Sequence, residues 1–187
     1  MSVDPVYRML PPADPGAQQR AKRLRELGIK QEPDPEFDEF ARQLAVARQA
    51  PYAMVNIVGP ERQFFAGLYP SSADRGAAWQ SDPLRSMACD HGYCMHVVAR
   101  GHAMALPNVL EYARHAVNPV VSEVGVRAYL GAPLVDLDGM ILGTVCVLDT
   151  KPRPEWDADT VAWIKERAAE LTGQILLRAG GPRAADG

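Results

Sequence analysis

The sequence predicts an α/β-type fold of the α+β kind, with a central antiparallel sheet of about five or six strands and helices on both sides. Residues 124–150 carry the main signal, because two apolar runs flank Asp138-Gly139, a pair typical of tight hairpin turns. The second run, from Ile141 to Leu148, is apolar almost throughout, as in a central strand covered on both faces. We also expect the first and last helices to pack together on one face of the sheet.

The length and composition of the chain limit which classes of protein it can belong to. The chain has 187 residues, a net charge of -3 and 47% hydrophobic residues. These values indicate a globular chain and give no electrostatic support for a nucleic-acid or membrane partner. Three cysteines are too few for a disulfide framework, which favours a cytoplasmic location. We expect a single domain over residues 18–179, a mobile tail over 1–17 and a second tail over 180–187.

Two helices are predicted at the start of the domain. Residues 18–27 form a short helix, and its arginines and lysine form either a solvated basic face or a basic surface that binds a partner. Asp34-Pro35 opens the second helix, because Asp caps the exposed amide groups and Pro suits the first helical turn. The apolar repeat of this second helix faces the core, and it comprises Phe37, Phe40, Ala41, Leu44 and Ala45.

Strands and a long loop follow. Residues 52–58 and 63–69 are predicted strands, and Phe64 and Phe65 then point to opposite sheet faces. One of the two phenylalanines belongs to the core, and the other meets a ligand or a helix. Residues 71–85 read as a long loop in which Trp79 either covers one end of the core or acts as a lid.

The middle of the chain holds a short helix and a third strand. Residues 87–100 enter a short helix that ends at Gly101, since Gly readily takes the left-handed conformation after a helix. Residues 102–107 form the third strand. Residues 108–121 are irregular or contain short helices, and they cover the sheet face opposite the terminal helices. Pro133 in the main hairpin predicts a bulge or an unpaired edge, because it has no amide hydrogen.

The last helix follows Asp157, which can cap it. Its apolar residues recur at spacings of three and four, which gives a heptad seam comprising Val161, Ile164, Ala168, Leu171 and Ile175. Two interpretations remain at this point. The seam either packs on the sheet of its own chain or forms a homodimer interface together with Leu24 and Leu27.

The main hairpin also resembles a known family. The residues G-V-R-x-Y-x-G-A-P-L, then D-G, then L-G-T-x-C-V-L-D, are similar to the closing half of a GAF domain, a sensory domain related to PAS. The resemblance extends from about Gln18 to about Arg178. It implies a GAF/PAS-like sheet and a ligand pocket walled by residues 108–121. GAF domains bind cyclic nucleotides, haem, bilins, amino acids and other metabolites, so the ligand and any cofactor stay open.

A small-molecule pocket with apolar walls and a few polar groups is expected on that face. Arg127 either pairs with an anionic ligand group or forms a structural ion pair. The predicted lining comprises Phe64, Phe65, Tyr93, Cys94, Asn108, Tyr112, His115, Arg127, Tyr129, Thr144 and Cys146.

Metal and thiol chemistry have weaker support in the sequence. Cys89, His91, Cys94 and His96 are candidate metal ligands, but no second half-site accompanies them, and no metal is predicted. The free methionine-sulfoxide reductases share the GAF fold and have a cysteine near Cys94. Residues 118–123 lack the second cysteine that this resemblance implies, Cys89 is not placed to replace it, and Cys146 is expected to be buried and inert. No catalytic residue is assigned.

The predicted function is a stand-alone sensory or regulatory module, and the chain is not predicted to be an enzyme. A bound small molecule changes the pocket, and the terminal helices pass the change to a signalling protein in trans or across a homodimer. The alternative is a ligand-free dimeric interaction module. A thiol-based reductase is a minor third hypothesis.

Overall fold

The computed structural model describes residues 12–70 and 85–180. The predicted loop with Trp79 and most of both predicted tails lie outside these residues. Six strands form one antiparallel sheet in the order β3-β2-β1-β6-β5-β4. The strands are β1 (Tyr52–Val58), β2 (Arg62–Tyr69), β3 (Ser86–Ala88), β4 (Met104–Leu106), β5 (Ala128–Val135) and β6 (Ile141–Asp149). The predicted fold class is confirmed.

Within the described residues, six α-helices accompany the sheet. They are α1 (Ala17–Glu26), α2 (Pro35–Arg48), α3 (Cys94–Arg100), α4 (Ala113–Ala116), α5 (Pro119–Glu123) and α6 (Ala158–Gly180), with one 3₁₀ turn at Val109–Glu111. The α2 helix begins as predicted, since the Asp34 carboxylate accepts hydrogen bonds from the amides of Glu36 and Phe37. All five residues of its predicted core stripe are buried.

The predicted central hairpin forms the middle of the sheet. The β6 strand lies between β1 and β5 and is buried along nearly its whole length. The turn around Gly139 has a φ of 80°, which suits Gly, and the Asp136 side chain accepts hydrogen bonds from the amides of Asp138 and Met140. Pro133 lies beyond the segment of β5 that pairs with β4, so its missing amide hydrogen leaves no sheet bond unmade on that side.

Helices α1, α2 and α6 share one core on one face of the sheet. This core unites Leu24, the α2 stripe, and Ile164, Ala168, Leu171 and Ile175 of the heptad seam, and Val161 packs against it. The heptad seam therefore packs against the sheet of its own chain. A homodimer cannot use these buried side chains, so the predicted dimer through the terminal helices would need other residues.

The basic face of α1 is less solvated than the sequence suggests. Arg20 is only 3% exposed, because its guanidinium donates to the Ile141 carbonyl and pairs with Asp14. Arg23 pairs with the buried carboxylate of Asp136 at 2.8 Å. These contacts attach α1 to the turn of the main hairpin.

Candidate functional site

A cavity of about 370 Å³ lies on the face of the sheet opposite α1, α2 and α6. This volume is within the range of small-molecule sites. The floor comes from β1, β2, β5 and β6, and the roof from residues 87–94 and 120–126. The lining comprises Tyr52, Met54, Gln63, Phe65, Leu68, Met87, Gly92, Tyr93, Cys94, Val120, Glu123, Val124, Val126, Tyr129, Cys146 and Leu148.

Five of the predicted pocket residues meet in this cavity. They are Phe65, Tyr93, Cys94, Tyr129 and Cys146. Phe64 packs against the core on the other face, since neighbouring residues of a strand alternate between faces. The two phenylalanines thus lie on opposite faces as expected, and Phe64, although predicted to line the pocket, does not reach the cavity.

The other predicted pocket residues lie outside the cavity, because each has a different local role. The Asn108 side chain caps the 3₁₀ turn through the Leu110 amide, and Tyr112 is 41% exposed. His115 lies behind Tyr93, with ring centroids 5.4 Å apart. Arg127 donates to the carbonyls of Val121 and Val126, and no acidic partner for it is found in the described chain. Thr144 is fully buried beside Cys94.

Several lining residues were missed because their positions depend on strand register. Tyr52 and Met54 lie directly opposite Leu148 and Cys146 in the pairing of β1 with β6. Once Cys146 is placed in the cavity, this register brings the other three side chains to the same face. The sequence shows that Cys146 and Leu148 lie on the same face of β6, because they are two residues apart. It does not show which residues of β1 pair with them.

Two polar side chains hold the roof in place. Asn118 accepts a hydrogen bond from the Gly92 amide and donates one to the Gly92 carbonyl, both at 2.9 Å. Gln63 donates to the carbonyls of Ala88 and His91 and accepts from the Asn56 amide group. The two halves of the roof are thus bonded to each other and to the sheet.

Charge is sparse in the cavity. Among the lining residues that the structure describes, Glu123 at the rim is the one carboxylate, and none is a Lys, Arg or His. Burial raises the pKa of both Tyr93 and Tyr129 above the usual value, so both phenols stay neutral. The cavity is therefore suited to an uncharged, mostly apolar molecule rather than to a phosphate.

The two buried cysteines are neighbours. The Sγ atoms of Cys94 and Cys146 are 3.8 Å apart, and the Tyr129 hydroxyl lies 3.5 Å from the Cys94 Sγ. Hydrogen bonding with Cys146 is the largest cause that lowers the pKa of Cys94, and it outweighs burial. The same contact, together with burial, raises the pKa of Cys146. Cys94 is therefore the more acidic thiol of the pair.

The four metal candidates of the sequence do not converge. Cys94 turns toward Cys146, whereas the His96 ring packs edge-on against His115 with centroids 5.1 Å apart. His91 pairs with Asp90, and Cys89 packs beside Val58 and Met95. Within residues 12–70 and 85–180, no cluster of three or more His, Cys, Asp or Glu side chains is suited to a metal ion.

A larger cleft of about 650 Å³ lies where the connection between α1 and α2 meets the end of α6. Its charged groups are already paired, since Arg178 contacts both Asp34 and Glu36. The smaller cavity collects aromatic rings, thiols and few charges, so it is the better candidate for a ligand site. The described helices include none that is both long and apolar enough to cross a membrane.

The comparisons with known proteins agree with this geometry. A cyclic di-GMP phosphodiesterase of Pseudomonas aeruginosa is 28% identical over 167 residues, which cover 88% of this chain but 27% of the enzyme. The chain thus spans about a quarter of the length of that relative.

Solved structures share the fold at low identity. The GAF domain of an Acinetobacter phosphoenolpyruvate-protein phosphotransferase has a TM-score of 0.57 at 14% identity, covering 88% of this chain and 94% of that one. A free methionine-R-sulfoxide reductase from Neisseria meningitidis, solved with its substrate, has a TM-score of 0.58 at 15% identity, covering 89% and 93%. Some chains with this fold are therefore enzymes. The family model of the GAF domain matches residues 32–176, and the chain accordingly belongs to the GAF domain family, a sensory and regulatory fold.

Proposed function

We propose that this chain is a sensory module that binds an uncharged, mostly apolar small molecule in the sheet cavity and passes its occupancy to a signalling partner. The observation that carries the proposal is the cavity itself. It combines about 370 Å³ of space with aromatic and aliphatic walls, and no described lining residue is a Lys, Arg or His. An anionic ligand would lose its hydration without gaining a cationic partner.

The strands of the cavity floor provide a route to the terminal helices. Tyr129 and Cys146 face the cavity, whereas their neighbours Leu130 and Val147 belong to the core shared with α1, α2 and α6. A ligand that shifts β5 or β6 therefore acts on both faces of the sheet. Such a shift signals only when the ligand binds two conformations with different affinity.

Similarity to part of a cyclic di-GMP phosphodiesterase supports a regulatory role toward a partner enzyme, whose identity we do not assign. A homodimer stays a prediction. The heptad seam is buried, so a dimer would use exposed residues of the terminal helices such as Leu177, which is 78% exposed.

The ligand class is tested with two fluorescent probes that share one skeleton. N-phenyl-1-naphthylamine is neutral, whereas 1-anilinonaphthalene-8-sulfonate adds one negative charge. We expect the neutral probe to bind once per chain and the sulfonate to bind at least about tenfold more weakly, because burial of an unpaired charge is costly.

Variants locate the probe. Val120 is buried in the roof, so Val120→Trp fills the cavity and should abolish binding of the neutral probe. Leu137→Trp adds the same ring at a residue that is 88% exposed and should bind like the wild type. Retained far-ultraviolet circular dichroism shows that Val120→Trp is folded. Equal binding of both probes, or unchanged binding by folded Val120→Trp, would refute the proposal.

A further inference from the structure

Three sulfur atoms lie side by side in the wall of the cavity. The Cys146 Sγ is 3.8 Å from the Cys94 Sγ and 4.0 Å from the Met54 Sδ. The strand register places Met54 opposite Cys146, and Cys94, the first residue of α3, approaches the same point from the roof. The contacts thus bring together two thiols and one thioether from three elements distant in sequence.

We propose that Cys94, Cys146 and Met54 form a binding site for a soft monovalent metal ion, of which Cu(I) is the representative. A metal–sulfur bond is about 2.3 Å long, so two sulfur ligands of one ion are about 3.8 to 4.0 Å apart in tetrahedral or trigonal geometry. The two measured separations already match this spacing. The Cys146 sulfur therefore already lies at ligand spacing from both of the other sulfur atoms.

The donor set selects the ion. Thiolate and thioether ligands favour Cu(I), whereas Mg²⁺ and Ca²⁺ require oxygen ligands. The carboxylate of Glu123 lies at the rim of the cavity, on the exposed end of α5. With a thioether as the third ligand, this site differs from a cluster of three His, Cys, Asp or Glu side chains, of which the described residues hold none.

Protonation is compatible with this ion. Cys94 and Cys146 bind as thiolates, and each thiol proton is released to solvent when the ion enters. The complex of one Cu(I) with two thiolates has a single net negative charge. The Tyr129 hydroxyl, 3.5 Å from the Cys94 Sγ, is placed to donate toward it.

Two buried polar atoms near the three sulfur atoms have no hydrogen-bond partner at ordinary distance among the described residues. They are Asn56 Oδ1 and Thr144 Oγ1. Both side chains lie next to Cys94. Buried polar atoms are normally paired, and a charged metal–thiolate group would offer the Thr144 hydroxyl a stronger acceptor than a neutral thiol does.

The test uses the full reduced chain, kept anaerobic, in competition with bicinchoninate for Cu(I). We expect one Cu(I) per chain to leave the coloured bicinchoninate complex. X-ray absorption of the product should show three sulfur neighbours at about 2.3 Å. Binding should weaken as pH falls, because protons compete for the thiolates.

Matched variants decide the assignment. Cys94→Ser and Cys146→Ser should each weaken Cu(I) binding by at least about 100-fold, and Met54→Leu by about tenfold. Cys89→Ser is the control and should bind like the wild type, since Cys89 packs in a different cluster. Retained far-ultraviolet circular dichroism shows that each variant is folded. Failure to remove Cu(I) from bicinchoninate, or equal affinity in the folded Cys94→Ser variant, would overturn this site without affecting the proposed ligand.

Discussion

At the scale of single residues, a largely buried ion pair attaches the short edge strand to a helix. Arg85 makes two hydrogen bonds to the Asp38 carboxylate, at 2.9 and 2.8 Å, and also donates to the Phe65 carbonyl. Asp38 in turn accepts from the Leu68 amide. Arg85 directly precedes β3, so the pair fixes the point at which this strand enters the sheet.

Removal of Arg85 should therefore be costly. Arg85→Met leaves the Asp38 carboxylate without its cation, and we expect a loss of about 2 to 4 kcal/mol in the free energy of unfolding, measured by urea denaturation. Arg42→Met is the matched control, because Arg42 pairs with Glu39 on the helix surface and both side chains are nearly half exposed. That variant should lose less than about 1 kcal/mol. Equal losses would show that the buried pair does not stabilise this edge.

A second residue-scale prediction concerns pH. Burial is the main cause that lowers the pKa of His96 to about 4, and His115, Arg114 and Arg100 lower it further. In the unfolded chain the pKa of His is about 6.5. The unfolded state therefore takes up the proton first, so the contribution to stability is complete above about pH 6.5 and decreases as pH falls toward 4.

We expect His96 to account for about 1 to 2 kcal/mol of lost stability between pH 7 and pH 5. Urea denaturation of His96→Gln at the two pH values should show a correspondingly smaller decrease. His102→Gln, at an exposed position, serves as the control and should keep the wild-type decrease. The explanation fails when both variants show the same dependence on pH.

At the scale of elements, the strongest local sequence patterns were sufficient to predict a turn, a helix start and a buried helix face. The Asp138-Gly139 turn, the Asp34 cap and the α2 stripe all act within a few residues, so their structure can be read from the sequence alone. The three-residue strand β3 was not predicted. It is held by pairing with β2 and by the Arg85–Asp38 contact, and both are tertiary interactions that leave no local pattern.

Two glycines test how tightly the elements pack. A Cβ on Gly143 of β6 would collide with the carbonyl oxygen of Asn56 on the neighbouring strand. Gly143→Ala should therefore lose about 3 kcal/mol or more in thermal or urea unfolding. Gly173 of α6 has no atom within 4 Å of such a Cβ, and Gly173→Ala should gain about 0.5 to 1 kcal/mol because Ala favours helix. A harmless Gly143→Ala would contradict the close pairing of β1 with β6.

At the scale of the whole molecule, the sheet separates two environments. One face carries the terminal helices and a large apolar core, and the other carries the cavity and its roof. The sequence predicted both faces, and five of its proposed pocket residues line the cavity. It could not place Tyr52, Met54 or Asn118, since their roles depend on strand register and on a contact between Gly92 and residue 118.

The most direct test of the proposed sensory function is native mass spectrometry of the full chain purified from its own host, beside a denatured sample. The account predicts an additional mass that is lost on denaturation, belongs to an uncharged small molecule and is absent from Val120→Trp. Val120→Trp that retains the same mass would place the ligand elsewhere. A wild-type chain that carries no such mass and binds no neutral probe would contradict the proposed ligand site and favour a ligand-free interaction module.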